Sequence, residues 1–165
     1  MKKLFFIIVV FFCFAEKLLA IDLQLPYDAG LTLTVTRAYD SASHKDYGYD
    51  DMDDRKALDF VGQGCDSFNA PILVVADGTV INAHTVDDNG YGKYVIVDHG
   101  DGYHSRYAHL NVVSVSNNQI VEQGQEIGKM GNTGNVEGIA CSSYPGLHLH
   151  FALYYNGDLV TPDSW

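Results

Sequence analysis

The chain has 165 residues, with 21 acidic side chains against 10 Lys and Arg and a net charge of −11. That balance excludes charge-driven binding to nucleic acid or to an anionic membrane surface. The length suits one domain with a sizeable core.

The first stretch reads as an export signal and not as part of the fold. Met1-Lys2-Lys3 is basic, Leu4 to Ala15 is almost unbroken apolar sequence, and Leu18-Leu19-Ala20 fits a small-residue cleavage site. Ala15 is a second possible cleavage point. The run is too short and wrongly flanked for a transmembrane helix, which needs about 20 apolar residues. An uncleaved anchor is the competing reading. A lipoprotein reading through Cys13 suffers from Phe12, where a small residue is expected. Residues 1–20 are thus expected to be a signal peptide and 21–165 a single domain, secreted or periplasmic and free of the membrane after cleavage. Cleavage takes away Lys2, Lys3, Lys17 and Glu16, so the net charge goes from −11 to −13. Cys65 and Cys141 then remain, an even pair in an oxidising compartment. A disulfide is expected; two buried thiols or a redox site are the alternatives.

Nearly every periodic segment of the remainder reads as strand. Leu31–Thr36 alternates and is rich in β-branched residues. Ala57–Val61 is a short strand, and Ile72–Ala76 is apolar throughout, as a strand buried on both faces would be. Asp77-Gly78 reads as a hairpin turn into Thr79–His84. Tyr94–Val97 and Tyr103–Leu110 follow across the turn at His99–Gly102, and Gln119–Met130 gives short strands broken by glycine. Short strands with Gly-rich turns suggest an all-β domain, a compact antiparallel sheet or sandwich. Residues 40–56 interrupt this pattern. Asp40, Asp46, Asp50, Asp51, Asp53 and Asp54 crowd a long polar loop, either a solvated acidic lid or a functional segment. A calcium loop is conceivable, but the spacing is not that of an EF-hand.

The chemistry concentrates near the C-terminus, in Gly146-Leu-His-Leu-His-Phe-Ala-Leu153. On a strand, His148 and His150 share one face while Leu147, Leu149 and Phe151 share the other. Two imidazoles on one rigid face suit a site where one holds a cation and its neighbour handles a proton. They would also suit two surface histidines on an edge strand. Asp59 is a lone carboxylate in an apolar strand, which is costly unless it is paired or binds a cation. His109 ends its strand on the face of Tyr107. His104 lies an odd number of positions away, on the opposite face. His84, His99 and His104 read as surface or structural residues.

Several blocks in one order carry a resemblance. Asn89-Gly-Tyr-Gly-Lys-Tyr-Val-Ile-Val-Asp-His-Gly-Asp-Gly-Tyr103, Arg106-Tyr-Ala-His-Leu110, Val121-x-x-Gly-Gln-x-Ile-Gly128, Gly131-Asn-Thr-Gly134 and Leu147-His-Leu-His-Phe151 resemble the lysostaphin-like (M23 family) zinc metallopeptidases. The resemblance runs from about Ala57 onward. It implies a compact antiparallel β fold, bound Zn2+ and endopeptidase action on peptidoglycan peptides of the bacterial cell wall. By the same resemblance, Asp59 and His150 are zinc ligands, and His109 and His148 flank the attacked water and the developing oxyanion. Most of the family takes its first ligand from His-x-x-x-Asp. Here that position is Arg55, which stays protonated and cannot bind zinc. His44 is the substitute candidate, which resembles the longer-loop staphylolytic and elastolytic branch. The other outcome is a degenerate, non-catalytic module that binds the wall or regulates its hydrolysis, as some family members do.

Overall fold

The computed structural model describes residues 21–37, 54–138 and 141–161. Residues 1–20 and His44, and with them the signal reading and the first ligand candidate, lie outside the described residues. Ten strands run through the described chain: β1 (Thr34–Arg37), β2 (Leu58–Val61), β3 (Pro71–Leu73), β4 (Gly78–His84), β5 (Lys93–Gly100), β6 (Tyr103–Val113), β7 (Ile120–Val121), β8 (Glu126–Met130), β9 (Leu149–Tyr155) and β10 (Asp158–Val160). Every pairing is antiparallel, in the order β1-β2-β9-β6-β5-β4-β7, with β8 bridging β3 and β6 and β10 added to β9. The expected all-β antiparallel architecture is what the chain adopts.

One feature of the topology positions everything else. Along one side, β6 pairs first with β9, through Tyr103 to Ala108, and then with β8, through Leu110 to Val113. His109 stands where β6 changes partner. Its φ is +61°, and on the other side Val95 pairs with Tyr107 while Lys93 pairs with Leu110. Three steps along β6 therefore face two along β5, which is a β-bulge with its extra residue at Ala108–His109.

The hydrophobic core lies on the other face of this sheet. Phe60, Tyr107 and Phe151 form an aromatic run through it, with Phe151 5.4 Å from Tyr107 and 6.5 Å from Phe60 by ring centroid. Leu110, Ile127, Met130, Leu147 and Leu149 complete the packing around them. The apolar half of the Leu147–Phe151 alternation thus faces the core, as its period of two requires. β9 is flanked by β2 and β6 and is not the edge strand that surface histidines would need.

The hairpin expected at Asp77-Gly78 does not form. β3 pairs with β8, and β4 pairs with β5 and β7. The buried segment Val74-Val75 finds its backbone partners elsewhere: Val74 N–H donates to Gln125, and the Val74 and Val75 carbonyls accept from Gly124 and Gln24. With those groups satisfied, nothing draws the segment into a ladder with β4. His99 is structural as expected, its Nδ1 2.8 Å from the Asp77 carbonyl and its Nε2 2.7 Å from Ser105 Oγ.

Cys65 and Cys141 are joined, with a Cα–Cα distance of 4.8 Å across a sequence separation of 76. The bond ties the loop after β2 to the loop that leads into His148, and the stacked rings of Phe68 and Tyr144, 3.5 Å apart, reinforce the same junction. Closing a loop of that length in the unfolded chain is worth about 4 kcal/mol. Replacing both cysteines by serine should lower the unfolding free energy by about that much in a urea titration. Coincident unfolding curves for the double variant and the parent would contradict it.

Candidate metal centre

Asp59 and His150 sit directly opposite one another in the β2–β9 ladder. Directly opposed residues on one face lie close enough for their side chains to meet. Asp59 Oδ1 is 3.1 Å from His150 Nδ1 and 3.6 Å from His148 Nε2. Its Oδ2 is 3.7 Å from the Arg37 guanidinium on β1. Asp59 is 2% exposed, and His109, His148 and His150 are 5 to 6% exposed. The carboxylate that stood out in an apolar strand is therefore partnered on both of its oxygens.

His109 joins this face through the bulge. Strand parity puts it beside Tyr107, but Tyr107 points into the core against Phe151. The extra residue and the left-handed backbone turn the His109 ring over, to within 4.5 Å of the His148 ring and 5.6 Å of the His150 ring by centroid. The parity expectation is corrected here, for His109 and for its relation to His104. A positive φ at a bulky residue is uncommon and costs of order 1–3 kcal/mol, so the surroundings must hold it. They do so through Gly131–Gly134. His109 N–H donates to the Tyr91 carbonyl, and His109 Nδ1–H donates to the Thr133 carbonyl at 2.9 Å. Thr133 is itself fixed: its hydroxyl donates to the Leu110 carbonyl at 2.8 Å and accepts from Lys93 N–H at 2.9 Å. Gly134, at φ +79°, packs backbone to backbone against Gly90 to Gly92, and a Cβ there would overlap the Gly92 amide.

A carbonyl can only accept, so the contact to Thr133 assigns the His109 proton to Nδ1 and leaves Nε2 as the basic nitrogen. His148 follows the same rule, donating Nδ1–H to the Gly146 carbonyl at 2.7 Å. Burial lowers the pKa of both rings, for His109 with help from its histidine neighbours. Both are neutral near pH 7.

The ring of His150 is held from both ends. Nδ1 faces Asp59, and Nε2 lies 3.2 Å from Asp54 Oδ2. Burial pushes the imidazole pKa down, but the two carboxylates pull it up to about 9. Asp54 feels the converse: burial opposes its charge, yet His150 and Arg106 hold the carboxyl well below the usual carboxylate range. The acidic-lid reading is wrong for this residue, which is 5% exposed. Its Oδ1 accepts from Tyr154 at 2.6 Å and lies 3.5 Å from Arg106 Nη1, and the Tyr91 hydroxyl donates to Oδ2. Arg106 is fully buried, with its guanidinium 4.2 Å above the Tyr91 ring. Sequence reasoning missed this cluster. The usable signal was Arg106, a charge flanked by Tyr107, Ala108 and Leu110 on a strand, which required a buried partner.

The donors around His150 suit a small divalent cation. The ligand nitrogens of His109, His148 and His150 all lie within 4.8 Å of one another. Zinc bound at about 2.0–2.1 Å sets neighbouring tetrahedral ligands about 3.3 Å apart. The separations of Asp59 Oδ1 from His150 and His148 fall on either side of that value. A cleft of about 220 Å³ opens beside Asp59 and His148, lined also by Thr36, Arg37 and Glu137.

Residues 57–162 match the model of peptidase family M23. The chain belongs to that family. Its M23 segment is 36% identical over 107 residues to the murein hydrolase activator NlpD of Escherichia coli, covering 65% of this chain and 24% of that protein. It is 38% identical over 87 residues to the peptidoglycan DD-endopeptidase ShyA of Vibrio cholerae, covering 53% and 18%. The crystal structure of a zinc-containing peptidase from Vibrio cholerae superposes with a TM-score of 0.61 at 26% identity, covering 82% of this chain and 37% of that one. The chain spans about a quarter or less of the length of the first curated relatives it matches.

The Gly131–Gly134 turn makes the M23 site dependent on a remote backbone contact. Gly134→Ala should destabilise the domain by about 1–3 kcal/mol and expose the His109 Nδ1 proton to faster exchange by NMR. Unchanged stability and exchange would show that the turn does not hold the ring.

Proposed function

We propose that this chain is an exported zinc-dependent endopeptidase that cuts peptide stems or cross-bridges of bacterial peptidoglycan. The observation that carries the proposal is the pairing, on one buried face beside an open cleft, of Asp59 and His150 with two neutral imidazoles. Asp59 and His150 would hold zinc, with His44 as the third protein ligand. When bound there, zinc supplies a water acidified towards neutrality and polarisation of the scissile carbonyl.

The chain's own residues take the remaining roles. With their Nδ1 protons committed to the Thr133 and Gly146 carbonyls, His109 and His148 present Nε2 to a reacting group. One can accept the proton of the attacking water and return it to the leaving amine. The other, once protonated, can stabilise negative charge developing on the carbonyl oxygen. The cleft bounded by Arg37, Glu137 and Leu147 is where an extended peptide would lie. Similarity to ShyA, a peptidoglycan DD-endopeptidase, supports a cell-wall peptide as substrate. Residues 1–20, read as a signal peptide, would deliver the enzyme to the periplasm or the medium.

Arg55 favours a second reading, a regulatory module without turnover. It stands where most of the family has a histidine ligand, and the relative NlpD is a murein hydrolase activator. Metal analysis separates the two, since about one zinc per chain favours the enzyme and none favours the module.

Single substitutions test the assignment. His150→Ala and Asp59→Ala should each lose bound zinc. His109→Ala should keep zinc and lose turnover of purified cell walls by about 10²-fold or more. Full activity in His109→Ala would refute the mechanism.

A further inference from the structure

The second carboxylate of the centre is assigned no role by the zinc-peptidase reading. Asp54 is a buried acid with one carboxylate oxygen against His150. Oδ2 meets His150 Nε2 at 3.2 Å, and Tyr154, Arg106 and Tyr91 hold the carboxylate in that pose. Tyr154 and Arg106 are both fully buried, so the pose is enforced by packing as well as by hydrogen bonds.

Two uses of such a carboxylate are chemically open. It could be a metal ligand in its own right, or it could orient a histidine that is one. Charge decides between them. The Nε2 side of His150 already contains the Arg106 guanidinium, 3.5 Å from Asp54 Oδ1. A divalent ion there would face the Arg106 guanidinium at close range, where like charges repel. The Nδ1 side holds Asp59 and the basic Nε2 of His148, and the described cations near it are confined to Arg37, at the rim. A cation therefore belongs on the Nδ1 side, and Asp54 lies behind the ring.

We propose that Asp54 is a positioning residue for zinc: its carboxylate, 3.2 Å from His150 Nε2, pairs with that side of the ring and so leaves Nδ1 to face the space shared with Asp59. This rests on the reading of Asp59 and His150 as zinc ligands. Metal-binding histidines commonly donate their second ring N–H to a carboxylate, and loss of that partner typically costs about 10–100-fold in metal affinity. Arg106, Tyr91 and Tyr154 serve the carboxylate in turn. They neutralise part of its charge and occupy its remaining lone pairs, so that a buried acid can be tolerated behind the ring.

The test is zinc affinity of the full chain, measured by competition with a chromophoric chelator, together with long-range ¹H–¹⁵N NMR of the zinc-loaded histidines. Asp54→Ala should bind zinc about 10–100-fold more weakly and lose the exchange-protected His150 Nε2 proton. Asp54→Asn keeps an acceptor oxygen and should lose less. Tyr154→Phe leaves the carboxylate in place but removes one tether. It should weaken zinc binding to a smaller extent, which keeps the proposal testable if Asp54→Ala fails to fold. A purely structural role would lower the melting temperature and leave the zinc dissociation constant of the folded protein unchanged. Zinc affinities within twofold of the parent for all folded variants, or a zinc-loaded parent protonated at His150 Nδ1, would overturn the proposal. A parent chain that binds no zinc would overturn the peptidase reading itself, and this inference with it.

Discussion

The structure is organised around one cross-strand contact, the carboxylate of Asp59 against the imidazole of His150. Burying an acid in the middle of β2 is costly unless a partner compensates it. The partner comes from the adjacent strand, at the directly opposed position, where side chains of one face lie closest. That requirement fixes the β2–β9 register: a slip of one residue would put Asp59 opposite a core leucine and bring the apolar face of β9 to the site. The chemistry of the face and the packing of the core are two consequences of the same alignment.

The remaining members of the site arrive by departures from regular sheet geometry. β6 leaves β9 and takes up β8, and at that point the ladder carries one extra residue with a left-handed backbone. Bulges re-aim side chains, and here a histidine that would have packed beside Tyr107 is turned towards His148. The strain is contained by the Thr133 carbonyl and by close glycine contacts in the turn from Gly131 to Gly134. His148 sits just ahead of β9, bridged to Gly131, and the loop before it is tied down by the Cys65–Cys141 bond.

Much of this was legible in the sequence. Strand periodicity placed His148 and His150 together and the intervening leucine on the core side, and Asp59 stood out as a charge without a local reason. The cysteine pair followed from parity and compartment. What escaped the reading did so for physical causes. His109 was put on the wrong face, because a bulge inverts alternation without leaving a strong mark in the sequence. The Asp77-Gly78 hairpin was expected from local turn chemistry, but long-range pairing of Val74 and Val75 with residues 24, 124 and 125 took precedence. Asp54 was hidden among acidic neighbours. Composition alone cannot single out one buried carboxylate within an acid-rich run, and only the demand of Arg106 for a buried counter-charge could have pointed to it. Family membership required several motifs in order, since His-x-His alone would also describe two surface residues.

The central claim is that a single divalent ion is held between Asp59 and His150. Anomalous diffraction at the zinc absorption edge, from crystals of the zinc-loaded full chain, tests it most directly. The account predicts one strong peak within bonding distance of both Asp59 Oδ1 and His150 Nδ1. A peak on the Asp54 side of the ring, or zinc bound only at surface histidines such as His84 or His104, would contradict it.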